Sequence, residues 1–198
     1  ACEYTNSFLS FFPKISVILN IDADHLDFFK DLDDIRHSFR EYARLVPDDG
    51  ALIINSDIDN IEYFTEGLKC SVITVGSDPN KSMYSAANIT FDEFARGSYD
   101  LVVNGEIKDH ITLKVTGKHN IYNSLASIAA AHFMGISNED IKTGLMAYEG
   151  TDRRFQLKGK LGDITIIDDY AHHPDEIRAT LSTAKHYPHN KLGVVFQP

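Results

Sequence analysis

The sequence predicts an α/β protein: a mostly parallel sheet with helices on both faces, accompanied by a small antiparallel sheet. Three observations carry this. Short β-branched apolar runs alternate with helical periodicity over residues 15–76, the rhythm of βαβ units around a doubly wound sheet. The rhythm breaks between residues 84 and 115, where strand patterns follow one another around Asn104-Gly105, a hairpin-turn dipeptide. Helical spacing then returns from residue 120.

In chain order, residues 15–21 (ISVILNI) form an apolar run suited to a buried parallel strand. Residues 31–46 place Leu32, Ile35, Phe39 and Tyr42 on one helical face, and Pro47-Asp-Asp-Gly50 ends that helix. Residues 51–55 read as a strand, 57–68 as a helix and 71–76 as a strand. Two or three antiparallel strands follow to residue 115. Ile121, Leu125, Ile128 and Ala129 then share a helical face, with Gly135 as its stop signal. A further helix spans 138–148 behind a Ser/Asn cap. Residues 149–152 read as a linker. They divide the chain into a first unit, 1–150, and the start of a second, 151–198, with strands at 154–161, 164–167 and 191–196 and a helix opening at Pro174.

Composition narrows the function. With 43% hydrophobic and 24% charged residues, the chain is ordinary for a globular protein. No apolar stretch approaches the roughly 20 residues of a membrane span. A net charge of −10 without a Lys/Arg block argues against nucleic acid as a partner. Cys2 and Cys70 form no metal or redox spacing, so a reducing, cytoplasmic compartment is expected. The abrupt start at Ala1 and the stop at Pro198 predict that both ends lie within a longer protein.

Four constellations carry chemistry. Asn20-Ile-Asp22-Ala-Asp24-His25-Leu-Asp27 gathers oxygen and imidazole donors at a strand end, which suits a hard divalent ion or, equally, an acidic helix cap. Gly117-Lys118-His119-Asn120-Ile-Tyr-Asn123 opens an amphipathic helix whose free N–H groups can hold an anion or simply be capped. Arg153-Arg154-Phe155-Gln156 follows the linker and could clamp a phosphate or face solvent. Asp168-Asp169-Tyr-Ala-His172-His173-Pro174 turns from a strand into a helix, the corner where α/β sheets bind ligands. No Gly-x-x-x-x-Gly-Lys-Ser/Thr phosphate loop and no Gly-x-Gly-x-x-Gly occurs in the 198 residues.

In this order, together with Ala1-Cys-Glu3-Tyr4, Ser7-Phe8-Leu9 and Val195-Phe-Gln-Pro198, these motifs closely resemble the Mur ligases of bacterial cell-wall synthesis, over essentially the whole chain. The resemblance implies most of a central ATP-binding domain followed by the start of a Rossmann-like C-terminal ligase domain. It implies an ATP- and Mg²⁺-dependent amide ligase working through an acyl phosphate, with UDP-N-acetylmuramate and L-alanine as substrates. His25 would stand at the metal, with Glu3 as a candidate second ligand. His119 and Asn120 would meet adenine. Arg153 or Arg154, with Asp169 and His172, would reach nucleotide and amino acid from the second domain. The family's phosphate loop would precede Ala1, so these residues alone are expected to be inactive. A tripeptide-recycling ligase of the same family, and a noncatalytic nucleotide-binding module, are the competing readings.

Overall fold

A computed structural model describes residues 4–197. Strands β1 (Ile15–Ile18), β2 (Ala51–Asn55), β3 (Ser71–Val75), β4 (Tyr84–Phe91), β5 (Arg96–Val103) and β6 (Glu106–Thr116) form one sheet in sequential order. Pairing is parallel from β1 to β4 and antiparallel from β4 to β6. The antiparallel wing therefore continues the parallel sheet, and a second, two-stranded sheet lies further along the chain. The Asn104-Gly105 turn joins β5 to β6, with both residues at positive φ.

Alternation along β2 shows why the sheet is buried on both sides. Ala51 and Ile53 join one core with Tyr99, Leu101, Ile111, Ile121, Leu125 and Ile128. Leu52 and Ile54 join the other with Ile18, Ala43 and Phe64. The first core lies under α3 (Lys118–Phe133) and α4 (Asn138–Ala147); the second lies under α1 (Leu32–Arg44) and α2 (Glu62–Thr65). Tyr99 is fully buried, and its hydroxyl is satisfied by Ser124 Oγ at 2.6 Å. Burial pushes that phenol up to about 12.

Helix ends follow their sequence signals. Asp31 caps α1 by accepting from Asp34 N–H, and Ser137 caps α4 through Asp140 N–H. At the end of α3, Gly135 N–H bonds His132 O and Ile136 N–H bonds Ala131 O, a Schellman closure with Gly135 at φ 76°.

Three expected elements differ. The helix expected over 57–68 shrinks to Glu62–Thr65, because Asn55 Oδ1 accepts Asp57 N–H while the Asp57 carboxylate holds Ser77. That pins the start of the segment into a turn. The strand expected from 154 begins at Gln156, after Arg153 and Phe155 adopt positive φ. Residues 191–196 form no strand. Val194, Val195 and Phe196 are exposed, and a ladder needs a partner strand that the described residues do not offer there.

Beyond the linker, β7 (Gln156–Leu161) and β8 (Ile164–Asp168) pair antiparallel, and α5 (Pro174–His186) follows. Pro174 sits in the first turn of α5 and His173 is its N-cap. Among the described residues of this part, Thr183 is the one buried polar residue.

Candidate active site

The first constellation lies just past the carboxyl end of β1. His25 adopts φ 54°, and the backbone N–H groups of Phe28 and Phe29 close on its carbonyl. Its N–H donates to Asp24 Oδ1 at 2.7 Å, and the Tyr4 ring lies 4.8 Å away. Tyr4 in turn donates to Asp27 Oδ2 at 3.0 Å. His25 is thus set in a built turn rather than on a free loop.

The second constellation opens α3. Gly117 stands at φ 92°, ψ 144°, where only glycine rests without strain, and no side chain caps the helix. A Cβ there would lie 2.6 Å from His119 Cε1 and 2.8 Å from Thr183 Oγ1. Asn120 donates from Nδ2 to Thr116 O at 2.8 Å and accepts from Asn123 Nδ2 at 3.2 Å, so the two amides are oriented as one unit.

The third and fourth constellations form one corner. Asp169 accepts Phe155 N–H at 2.8 Å on Oδ2 and Ala171 N–H at 2.8 Å on Oδ1. Its carboxylate ties the Arg-Arg-Phe turn to the β8–α5 loop. The two arginines diverge. The Arg153 guanidinium lies 4.6 Å from the Tyr170 ring centre and 3.9 Å from Asp168. Arg154 faces the cleft and pairs with Glu176 Oε1 at 2.9 Å. His172 Nδ1 lies 3.0 Å from Tyr170 O. A carbonyl only accepts, so Nδ1 carries the proton and Nε2 of the neutral ring keeps its lone pair.

These groups meet around an open cleft of about 1430 Å³. His25, His119, Asn120, Arg154, Asp169 and His172 all line it, whereas Arg153 stands on the flank. His119 is reachable by solvent yet set against the cleft wall. Desolvation there lowers its pKa; Asp169 opposes this and Arg154 reinforces it. The neutral imidazole is therefore favoured.

The donor set fits a nucleotide better than a metal. Arg96, Lys114 and Arg154 are cations on the cleft wall, and the uncapped start of α3 presents backbone N–H groups beside paired amides. Among the described residues, no three His, Cys, Asp or Glu side chains converge as a metal shell. Asp22, Asp24 and His25 share one rim of the cleft; Glu3 lies outside the described residues.

Glu176 escaped the sequence reading. It receives Arg154 on one oxygen and His172 N–H on the other, at 3.3 Å. Burial alone would raise its pKa, but Arg154 and the N–H groups of His172 and His173 hold its carboxyl below the usual glutamate value. The signal was present: Glu three residues after an N-cap is a capping-box spacing, here with His173 as the cap. Phe94, Phe155 and Tyr187 were also missed as a cluster. The Tyr187 ring lies tilted 5.6 Å from Phe94 and 5.9 Å from Phe155, joining residues that sequence spacing does not relate.

Comparisons with known proteins agree with the fold. The Mur ligase middle domain family matches residues 4–131, and the Mur ligase, glutamate ligase domain family matches residues 153–198. The chain is 62% identical over 198 residues to a UDP-N-acetylmuramate–L-alanine ligase of Lachnospira eligens, covering 100% of this chain and 43% of that relative. Among solved structures, it resembles the UDP-N-acetylmuramate-alanine ligase MurC of Thermotoga maritima, with 29% identity and a TM-score of 0.76 over 91% of this chain and 40% of that one. A murein peptide ligase of Psychrobacter arcticus is similar at 28% identity and a TM-score of 0.67, covering 90% of this chain and 36% of that one. The chain spans less than half the length of these relatives.

Proposed function

The chain belongs to the Mur ligase family, and from that premise we propose that the full-length protein is an ATP-dependent ligase joining L-alanine to the carboxylate of UDP-N-acetylmuramate. The observation that carries this reading is the convergence of both parts of the chain on one cleft. His25, His119 and Asn120 come from the first part, and Arg154, Asp169 and His172 from the second. The 62% identity to an alanine-adding relative supports the choice of acceptor.

ATP supplies a phosphoryl group to the substrate carboxylate; the alanine amine then attacks the acyl carbon, and phosphate leaves with the acyl oxygen. The chain's residues have separable tasks in this reading. Arg154 offers N–H donors to phosphate oxygens, since Glu176 engages only one side of its guanidinium. Neutral His119 and the Asn120–Asn123 pair give the base hydrogen-bonding partners without adding charge. Asp169 acts by holding the corner in shape. His172 Nε2 is the acceptor for the proton that the amine loses. Mg²⁺ belongs to the reading, with His25 and Glu3 as its candidate ligands. The described residues do not complete its shell. The same reading makes the protein cytoplasmic, where a buried free thiol such as Cys70 stays reduced.

The test uses full-length protein with ATP, Mg²⁺ and UDP-N-acetylmuramate, offering L-alanine or the peptidoglycan tripeptide as acceptor. Phosphate release and product mass are expected with alanine at a kcat/KM at least tenfold above that for the tripeptide. Preference for the tripeptide would assign the recycling activity instead. No turnover with either would favour a nucleotide-binding module.

A further inference from the structure

We propose that Glu176 is a positioning residue for this site, setting the Arg154 guanidinium and the His172 corner from a single carboxylate. The inference rests on the reading of Arg154 as a phosphate-binding group. Oε1 accepts from Arg154 Nη1 at 2.9 Å, and Oε2 accepts from His172 N–H at 3.3 Å, with His172 Nδ1 3.6 Å away. Arg154 and Glu176 are 22 positions apart, so the pair ties the turn before β7 to the first turn of α5.

The geometry gives Glu176 two tasks at once. As the acceptor of the His172 N–H it holds the turn that opens α5, which fixes how His172 enters the helix. As the partner of Arg154 it restrains a long, rotamer-rich side chain on the cleft wall. The guanidinium keeps further N–H donors for a ligand, so the carboxylate orients the cation without consuming it. The other acidic groups of this corner are engaged elsewhere: Asp168 lies 3.9 Å from Arg153, Asp169 accepts the Phe155 and Ala171 N–H groups, and Asp152 and Asp175 have partners of their own. Asp152 accepts from Gln156, and Asp175 pairs with Arg178. Neither replaces Glu176.

A plain helix cap and a positioning residue make different predictions in the full-length protein. A cap at this helical position tolerates Asp, whereas an orienting carboxylate shortened by one methylene no longer reaches Arg154. The experiment measures ATP affinity by calorimetry, without acceptor, for wild type, Glu176→Asp, Glu176→Gln, Arg154→Ala and the double variant Glu176→Gln/Arg154→Ala. Thermal midpoints are recorded alongside. Expected are at least fivefold weaker ATP binding for Glu176→Asp and Glu176→Gln, with midpoints within a few degrees of wild type. Glu176→Gln should add nothing to Arg154→Ala.

Additive losses in the double variant overturn the proposal, as does wild-type affinity in Glu176→Asp. Tighter binding by Glu176→Gln also overturns it, because Glu176 would then compete with phosphate for the guanidinium. ATP binding without ligation of alanine would sink the assigned reaction while leaving this result standing.

Discussion

Gly117 shows how much of this site depends on one missing methyl group. Its φ of 92° is strained for any L side chain, and a Cβ would press on His119 and on the buried Thr183 of α5. Gly117→Ala is therefore expected to destabilise by about 1–3 kcal/mol from backbone strain, before any cost of moving His119. Chemical denaturation of the variant against wild type reads this directly; an unchanged midpoint would mean that the α3 start relaxes freely. The Gly-Lys-His-Asn run was visible in the sequence as a helix opening. That its glycine touches a residue 66 positions later was not, because close approach is a tertiary fact. Asp169 teaches the same lesson. The sequence places it in a candidate corner, and the fold adds that both of its oxygens accept backbone N–H groups and shape that corner.

Elements are legible where local chemistry agrees with packing. The helix α1 has a cap, first-turn acids and an apolar face, and it appears within one or two residues of its expected bounds. Asp31→Ala removes the acceptor for Asp34 N–H and is expected to cost about 1 kcal/mol. A denaturation midpoint lowered to match, with the slope unchanged, would check it; no shift would mean that water caps the helix equally well. The helix expected after β2 failed for a countervailing reason. Asn55, Asp57 and Ser77 bond one another across the ends of β2 and β3, and side chains that bond locally compete with helix initiation. Residues 191–196 failed differently. Their apolar pattern is strand-like, but a strand is a property of a pair, and periodicity cannot supply the partner. The role of Glu176 at the start of α5 went unread because His173 is not among the residues usually sought as caps.

At the scale of the molecule, the second part of the chain is held by the first. A two-stranded sheet and one helix bury little of their own, and the described junction includes Thr183 beside Gly117 and Tyr187 against Phe94. A part so small gains its order from docking. His119 is expected to make that docking depend on pH. Its folded pKa is lowered from 6.5, first by desolvation and also by Arg154, with Asp169 opposing. A depressed pKa means that the undocked state binds the proton more readily, so the contribution of His119 is whole above pH 6.5 and is lost as pH falls through the folded value. Glu176, held below the usual glutamate range, stays ionised over that window. Protection factors from hydrogen exchange in α5 should therefore fall between pH 7.5 and 5.5, while those of β2 and β3 hold. His119→Gln, which keeps a polar side chain and cannot titrate, should flatten the change. If α5 loses protection equally in that variant, another group controls the junction; if wild type shows no loss, desolvation of His119 has no part in holding the two parts together.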